Sequence, residues 1–125
     1  MTCPCGGGLP FDECCGRAHA GIAPAATAEA LMRSRYSAFA LGDTDYLLRS
    51  WHSSTRPAAL VLDPGQRWER LEIVTTSGGG LLHADGMVEF RAHWRTAEGG
   101  RGVLHEISRF VREDGRWTYL DGQRV

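Results

Sequence analysis

The sequence predicts an α+β domain in which two helices precede four antiparallel strands wrapped around the longer helix, with a small cysteine knuckle in front. Three observations predict it. Apolar residues recur at helical spacing between Thr27 and Gly42, the period changes to two after Pro64-Gly65, and all four cysteines lie between Cys3 and Cys15. A chain of 125 residues, 42% hydrophobic and 23% charged, suits one globular core that needs no disulfide scaffold.

The knuckle comes first. Cys3 and Cys5 form a C-x-C pair and Cys14 and Cys15 a C-C pair, eight residues apart, and the remaining 110 residues contain no cysteine. Core cysteines do not cluster in this way, and the C-x-x-C spacing of a redox dithiol is absent. Four thiolates match the closed tetrahedral set of structural zinc, so Cys3, Cys5, Cys14 and Cys15 are the expected ligands of one Zn2+. Pro4 stiffens the first pair, Gly6-Gly7-Gly8 lets the backbone turn and aim N–H groups at the sulfurs, and Arg17 offers positive charge nearby. His19, four residues beyond Cys15, is an alternative ligand that would give three cysteines and one histidine. A closed set leaves no position for water, so the ion is expected to fold the segment and to hydrolyse nothing. A thiol switch that releases the ion on oxidation is a further reading of the same residues.

Residues 16–26, with Gly16, Gly21 and Pro24, read as a short linker. Thr27 is the expected N-cap of a helix carrying Ala28, Leu31, Met32, Tyr36 and Phe39 on one stripe, and Gly42 its stop. Asp43 caps a shorter segment in which Tyr46, Leu47 and Trp51 share a face, ended by Ser53-Ser54-Thr55-Arg56-Pro57. Alternation then marks strands through Leu71, Ile73 and Thr75, through Val88, Phe90, Ala92 and Trp94, from Val103 to Val111, and from Trp117 to Asp121. Turns at Gly78-Gly79-Gly80, Gly99-Gly100 and Asp114-Gly115 join them.

Charge excludes several functions. Fourteen basic residues oppose fifteen acidic ones, so neither a nucleic acid nor a membrane surface is an expected partner. Every basic residue is arginine, which rules out Schiff-base chemistry and a phosphate-loop lysine. No apolar run approaches a membrane span, and the opening Met1-Thr2-Cys3-Pro4-Cys5 lacks the layout of a secretion signal, so a cytoplasmic location is expected.

The string Cys3-Pro4-Cys5-Gly6-Gly7-Gly8 with Cys14-Cys15-Gly16 resembles the SEC-C motif, a zinc knuckle at the C-terminus of the preprotein translocase ATPase and on many other bacterial proteins. Gly16-Arg17-Ala18-His19-Ala20-Gly21, the run from Thr27 to Phe39, Trp51-His52 and His105-Glu106-Ile107-Ser108-Arg109-Phe110 extend the likeness. Together they resemble the YchJ family along nearly the whole chain. That resemblance implies a zinc knuckle over 1–21 and a nuclear transport factor 2-like cone over 22–125. Two departures stand out. Gly7 replaces the usual serine of Cys-Pro-Cys-Gly-Ser-Gly, which removes a hydroxyl but no ligand. The spacer Leu9-Pro10-Phe11-Asp12-Glu13 is acidic where the translocase has lysines, so its chaperone-binding role is not expected here. Some family members carry a second knuckle at the C-terminus, and no cysteine follows Cys15 here to form one.

A curved sheet closed over a helix leaves a cone, the default ligand site of such a fold. The expected lining is Arg35, Trp51, Trp94, Glu106, Ser108 and Trp117. Periodicity does not decide between Leu104, Glu106, Ser108 and Phe110 and the alternate set Val103, His105, Ile107 and Arg109, and the first set is the one expected to turn inward. A buried glutamate needs a partner, and Arg35 is the expected one. The rival reading pairs Glu106 with His52 or His105 for acid/base catalysis. The leading expectation is a non-enzymatic interaction or small-ligand module, with pairing of two copies through the outer sheet face as an accompanying possibility.

Overall fold

Thr27 and Gly42 bracket the long helix by the chemistry of their own side chains. The computed structural model describes residues 1–125. The extended backbone of Thr27 sets its hydroxyl to accept the Ala30 N–H at 3.1 Å, which starts the helix Ala28–Leu41 (α2). Gly42 ends it at φ 76°, in the left-handed region that glycine enters without a Cβ clash. Asp43 follows at once, accepting the Tyr46 N–H at 3.0 Å and opening α3 at Thr44–Arg49. The knuckle contributes a 3-10 turn at Phe11–Glu13 and α1 at Cys15–His19.

The shorter helix is briefer than its apolar spacing predicts. α3 stops at Arg49, and Trp51 instead forms an isolated parallel bridge with Tyr119. The Tyr119 N–H bonds to Ser50 O and the His52 N–H to Tyr119 O, both at 2.8 Å, so sheet pairing competes successfully with another helical turn. His52 therefore lies beyond the helix end.

Four strands, β1 at Gln66–Gly78, β2 at Asp85–Thr96, β3 at Arg101–Glu113 and β4 at Arg116–Arg124, pair in sequence order as an antiparallel meander. Register shifts between Trp68 and Arg70, between Ile73 and Thr75, and between Arg109 and Phe110 mark bulges. Bulges bend a strand and increase its twist, which curves this sheet around α2. Asp114 at φ 53° and Gly115 at φ 80° form the tight turn between β3 and β4.

Alternation assigns the faces. Val88, Phe90 and Ala92 of β2, with Phe110 and Trp117, meet Leu31, Met32 and Tyr36 of α2 in one buried core. The opposite face carries cross-strand pairs, His93 with Glu72 and His105 with Glu89, each at 2.7 Å. No helix is long and apolar enough to cross a membrane.

Candidate metal centre and cone cavity

The N-terminal segment folds back on itself through a bridge between Thr2 and Pro10, with Cys3 N to Leu9 O at 2.9 Å and Phe11 N to Met1 O at 2.8 Å. Gly6 at φ 82° and Gly8 at φ 85° make the reversal. It carries Cys3 and Cys5 against Cys14 and Cys15, at the start of α1. All four Sγ atoms lie within 4.8 Å of one another, Cys5 and Cys14 at 3.6 Å, and none is in a disulfide. Four sulfurs held about 2.3 Å from a tetrahedral ion stand ~3.8 Å apart, so the donor set fits one such ion. A Cβ at Gly7 would stand 3.4 Å from Cys5 Sγ, an ordinary contact, so the serine of related motifs would fit as well.

Burial and mutual repulsion set the protonation of these thiols. Burial and the neighbouring sulfurs push Cys14 up to about 11 and Cys15 further still. Burial acts on Cys3 too, but the Ser37 hydroxyl and the Cys5 and Cys15 backbone N–H groups outweigh it and bring that thiol down to about 6. A divalent cation held among the sulfurs would favour their thiolate forms against that burial.

The knuckle sits on the polar side of α2. Arg33 Nη1 donates to Cys5 O at 2.8 Å, and Cys3 Sγ is 3.5 Å from the Ser37 hydroxyl. Arg33 and, from α3, Arg49, whose Nη2 donates to His19 O at 2.9 Å, are thus the arginines that bond the knuckle, rather than Arg17. His19 is committed elsewhere: Nε2 bonds to Ser34 O at 2.8 Å, and the ring packs against Phe11 and, at 4.4 Å, against Tyr46. The alternative set of three cysteines and one histidine is therefore not assembled.

Behind the knuckle, α2 and the curved sheet enclose a cavity of about 130 Å³ whose walls include Arg35, Trp51, Trp68, Glu106, Ser108 and Tyr119. Trp94 and Trp117 do not line it. Trp117 is buried at the other end of the core, its Nε1 donating to Ala26 O at 3.2 Å and its ring covered by Arg112. Trp94 lies flat on Gly102, where a Cβ would come within 2.3 Å of the indole. Alternation had placed both on the inner face, but a face does not specify position along the cone axis. Their places are taken by Tyr119, two residues after Trp117, and Trp68, the cross-strand neighbour of Trp94. The same alternation pointed to Tyr119.

The expected Arg35 to Glu106 pair is not formed. Arg35 Nη1 donates to Leu47 O at 2.7 Å and to the Ser50 hydroxyl at 2.6 Å, and the guanidinium stacks 4.6 Å from the Tyr119 ring centre and 5.1 Å from that of Trp51. The Leu47 carbonyl and the Ser50 hydroxyl at the end of α3, which sequence spacing does not reveal, capture it. Glu106 lies over Gly122 beside the Tyr119 hydroxyl, unbonded, and burial raises its pKa against the lowering effect of Arg124. Neither histidine reaches it. His52 Nδ1 bonds the Ser54 hydroxyl at 2.7 Å with Glu113 near Nε2, and His105 pairs with Glu89 on the outer face. The expected acid/base pair is thus absent.

The sign of the Glu106 effect on stability follows from linkage. A carboxyl whose folded pKa is raised binds its proton more tightly in the native state, so its contribution is fully favourable at low pH and is lost as pH rises through the folded value. Glu106→Gln is expected to raise stability at about pH 7.5, with the gain vanishing near pH 4. Urea unfolding at the two pH values measures it, and an equal gain at both would contradict burial as the cause.

Comparison with known proteins agrees with this architecture. The family model described as YchJ, middle NTF2-like domain, matches residues 27–122. A UPF0225 protein of Streptomyces coelicolor is 57% identical over 121 residues, covering 97% of this chain and 94% of that one. One from Chromobacterium violaceum is 53% identical, covering 97% and 91%. The solution structure of a SEC-C motif containing protein from Rhodopseudomonas palustris superposes with a TM-score of 0.85 at 35% identity, over 100% of this chain and 99% of that one. The crystal structure of another, from Psychrobacter arcticus, gives 0.78 at 29%, over 100% and 83%. A nuclear transport factor 2-like domain behind four clustered cysteines, with relatives above half identity along nearly the full length, makes this chain a member of the YchJ, or UPF0225, family.

Proposed function

We propose that the knuckle holds one zinc ion in a closed structural site, and that the cone behind it is a non-enzymatic module for a partner or small ligand in a reducing, cytoplasmic setting. The observation that carries the metal reading is the convergence of Cys3, Cys5, Cys14 and Cys15 sulfurs within 4.8 Å, on a segment with almost no apolar core of its own. An all-sulfur tetrahedral set selects zinc or iron, and a mononuclear closed site without redox demand favours zinc. Bound there, the ion supplies folding free energy. Cys3, Cys5 and Cys15 are buried, Cys14 is half-buried, and Arg33 and Ser37 hold the loop to α2. The relatives described as SEC-C motif containing proteins support the same reading.

Elemental analysis of purified protein should find about one equivalent of zinc, and cobalt substitution should produce tetrahedral thiolate absorption. A folded knuckle that is free of metal would overturn the proposal. For the cone, the support is an apolar cavity with a few polar groups and no histidine beside Glu106.

A further inference from the structure

Two side chains of the cone, Arg35 and Trp51, carry N–H groups that no protein acceptor meets. Arg35 is only 3% exposed, yet no carboxylate pairs with it, and its two protein acceptors, Leu47 O and the Ser50 hydroxyl, both bind Nη1. Nε and Nη2, the edge that grips a carboxylate with two parallel bonds, are left without a protein acceptor. Trp51, in the adjoining wall, has a buried indole N–H with no acceptor at all. Stacking on Trp51 and Tyr119 offsets part of the cost of burying the guanidinium, but leaves these N–H groups unsatisfied. A buried guanidinium with a free edge and no paired carboxylate calls for an acceptor carrying negative charge.

Size and surface define the rest. A cavity of about 130 Å³ compares with an engineered apolar cavity of ~150 Å³ that admits benzene. The walls other than Arg35, Glu106 and Ser108 are apolar or aromatic. We propose that the cone takes a small organic monoanion, an aromatic or branched aliphatic carboxylate, gripped by the Nε and Nη2 edge of Arg35 with its body against Trp51, Trp68 and Phe90. This assignment rests on the reading of the cone as a small-ligand module and names its ligand class.

Glu106 sets the pH dependence. It shares the cavity with Arg35 and Tyr36 of α2 and borders Tyr119 and Arg124 of β4. Both phenols are raised above their usual range by burial and stay neutral, which leaves Glu106 as the one carboxyl lining the cavity, raised by burial as well. An ionised Glu106 repels a second carboxylate in so small a space, and burial favours its neutral form. Binding therefore takes up a proton and weakens as pH rises.

The test titrates benzoate, benzyl alcohol and benzylamine into the full-length, metal-loaded chain, followed by nuclear magnetic resonance of the tryptophan indoles. Benzoate should bind at least about tenfold more tightly than benzyl alcohol, moving the Trp51 indole resonance, with benzylamine weakest. Arg35→Lys should abolish the preference for benzoate. Since Arg35 also ties α2 to α3, Glu106→Gln is the companion variant: it leaves that tie intact and should keep the preference while removing its pH dependence. Benzyl alcohol binding in the cone as tightly as benzoate would overturn the anion assignment and leave the ligand-module reading standing. Failure of all three to move any cone resonance would overturn both, whatever the zinc content.

Discussion

Cys14→Ser is expected to strip most of the zinc from the protein and unfold residues 1–21, while α2 and the sheet stay folded. Structural zinc contributes an apparent ~10–16 kcal/mol to the folding of comparable finger peptides, so one missing thiolate removes much of what orders the knuckle. Little remains to replace it. Apart from the cysteines, only Phe11 packs into the cluster, and the ties to α2 are Arg33 to Cys5 O, Cys3 to Ser37 and His19 to Ser34 O. The main core lies on the other side of α2, built from Leu31, Met32, Tyr36, Val88, Phe90 and Phe110, and touches none of these. Amide exchange with elemental analysis reads the result. Protection should vanish across the knuckle and persist in α2 and β2, in parallel with zinc loss; a zinc-free variant with an unchanged knuckle would refute the argument.

The knuckle and the long helix were legible because each is specified by neighbours in sequence. Thr27 and Gly42 act within one turn of the helix they bound, and the cysteine spacing needs only a glycine-rich reversal to converge. Alternation in β3 separated two faces without saying which is inner, and the buried Ser108 and Phe110 settle it for the set that holds Glu106. What escaped were contacts set by two distant elements at once. The partners of Arg35 lie at the end of α3, whose length is decided by pairing of Trp51 with Tyr119, far along the chain. Trp94 and Trp117 were assigned to the correct face but not to the correct depth, because depth depends on where α2 crosses the sheet. Ser34 and Ser37 showed no local signal either. A serine on a helix reads as solvent-facing until a second layer, here α1 and the knuckle, covers it.

A similar gap between local and tertiary signals makes Gly86→Val a severe substitution. By strand propensity the change is favourable: Gly86 lies within β2, paired with Gly78 and Phe110, and valine suits a strand better than glycine. The tertiary structure reverses the sign. A Cβ at Gly86 would lie 2.5 Å from Gly79 Cα, 2.6 Å from Gly79 N and 3.3 Å from Ala28 Cβ. The obstacle is backbone, and it cannot move freely. Gly79 N donates to Asp85 O and Gly79 O accepts the first free N–H of α2, from Ala28, each at 2.9 Å. Accommodating valine must therefore open the β1–β2 turn and leave a helix-start donor unpaired, at a cost of about 3 kcal/mol. Gly86 does not have a positive φ, so that cost is steric and owes nothing to backbone preference. Gly115→Ala is the matching control: at φ 80° with open space around the new Cβ, it should cost only about 1–2 kcal/mol of backbone strain. Urea unfolding of both variants separates the two mechanisms. A Gly86→Val protein as stable as the parent would mean that the crossing of α2 over the β1–β2 turn is not held as tightly as these contacts require.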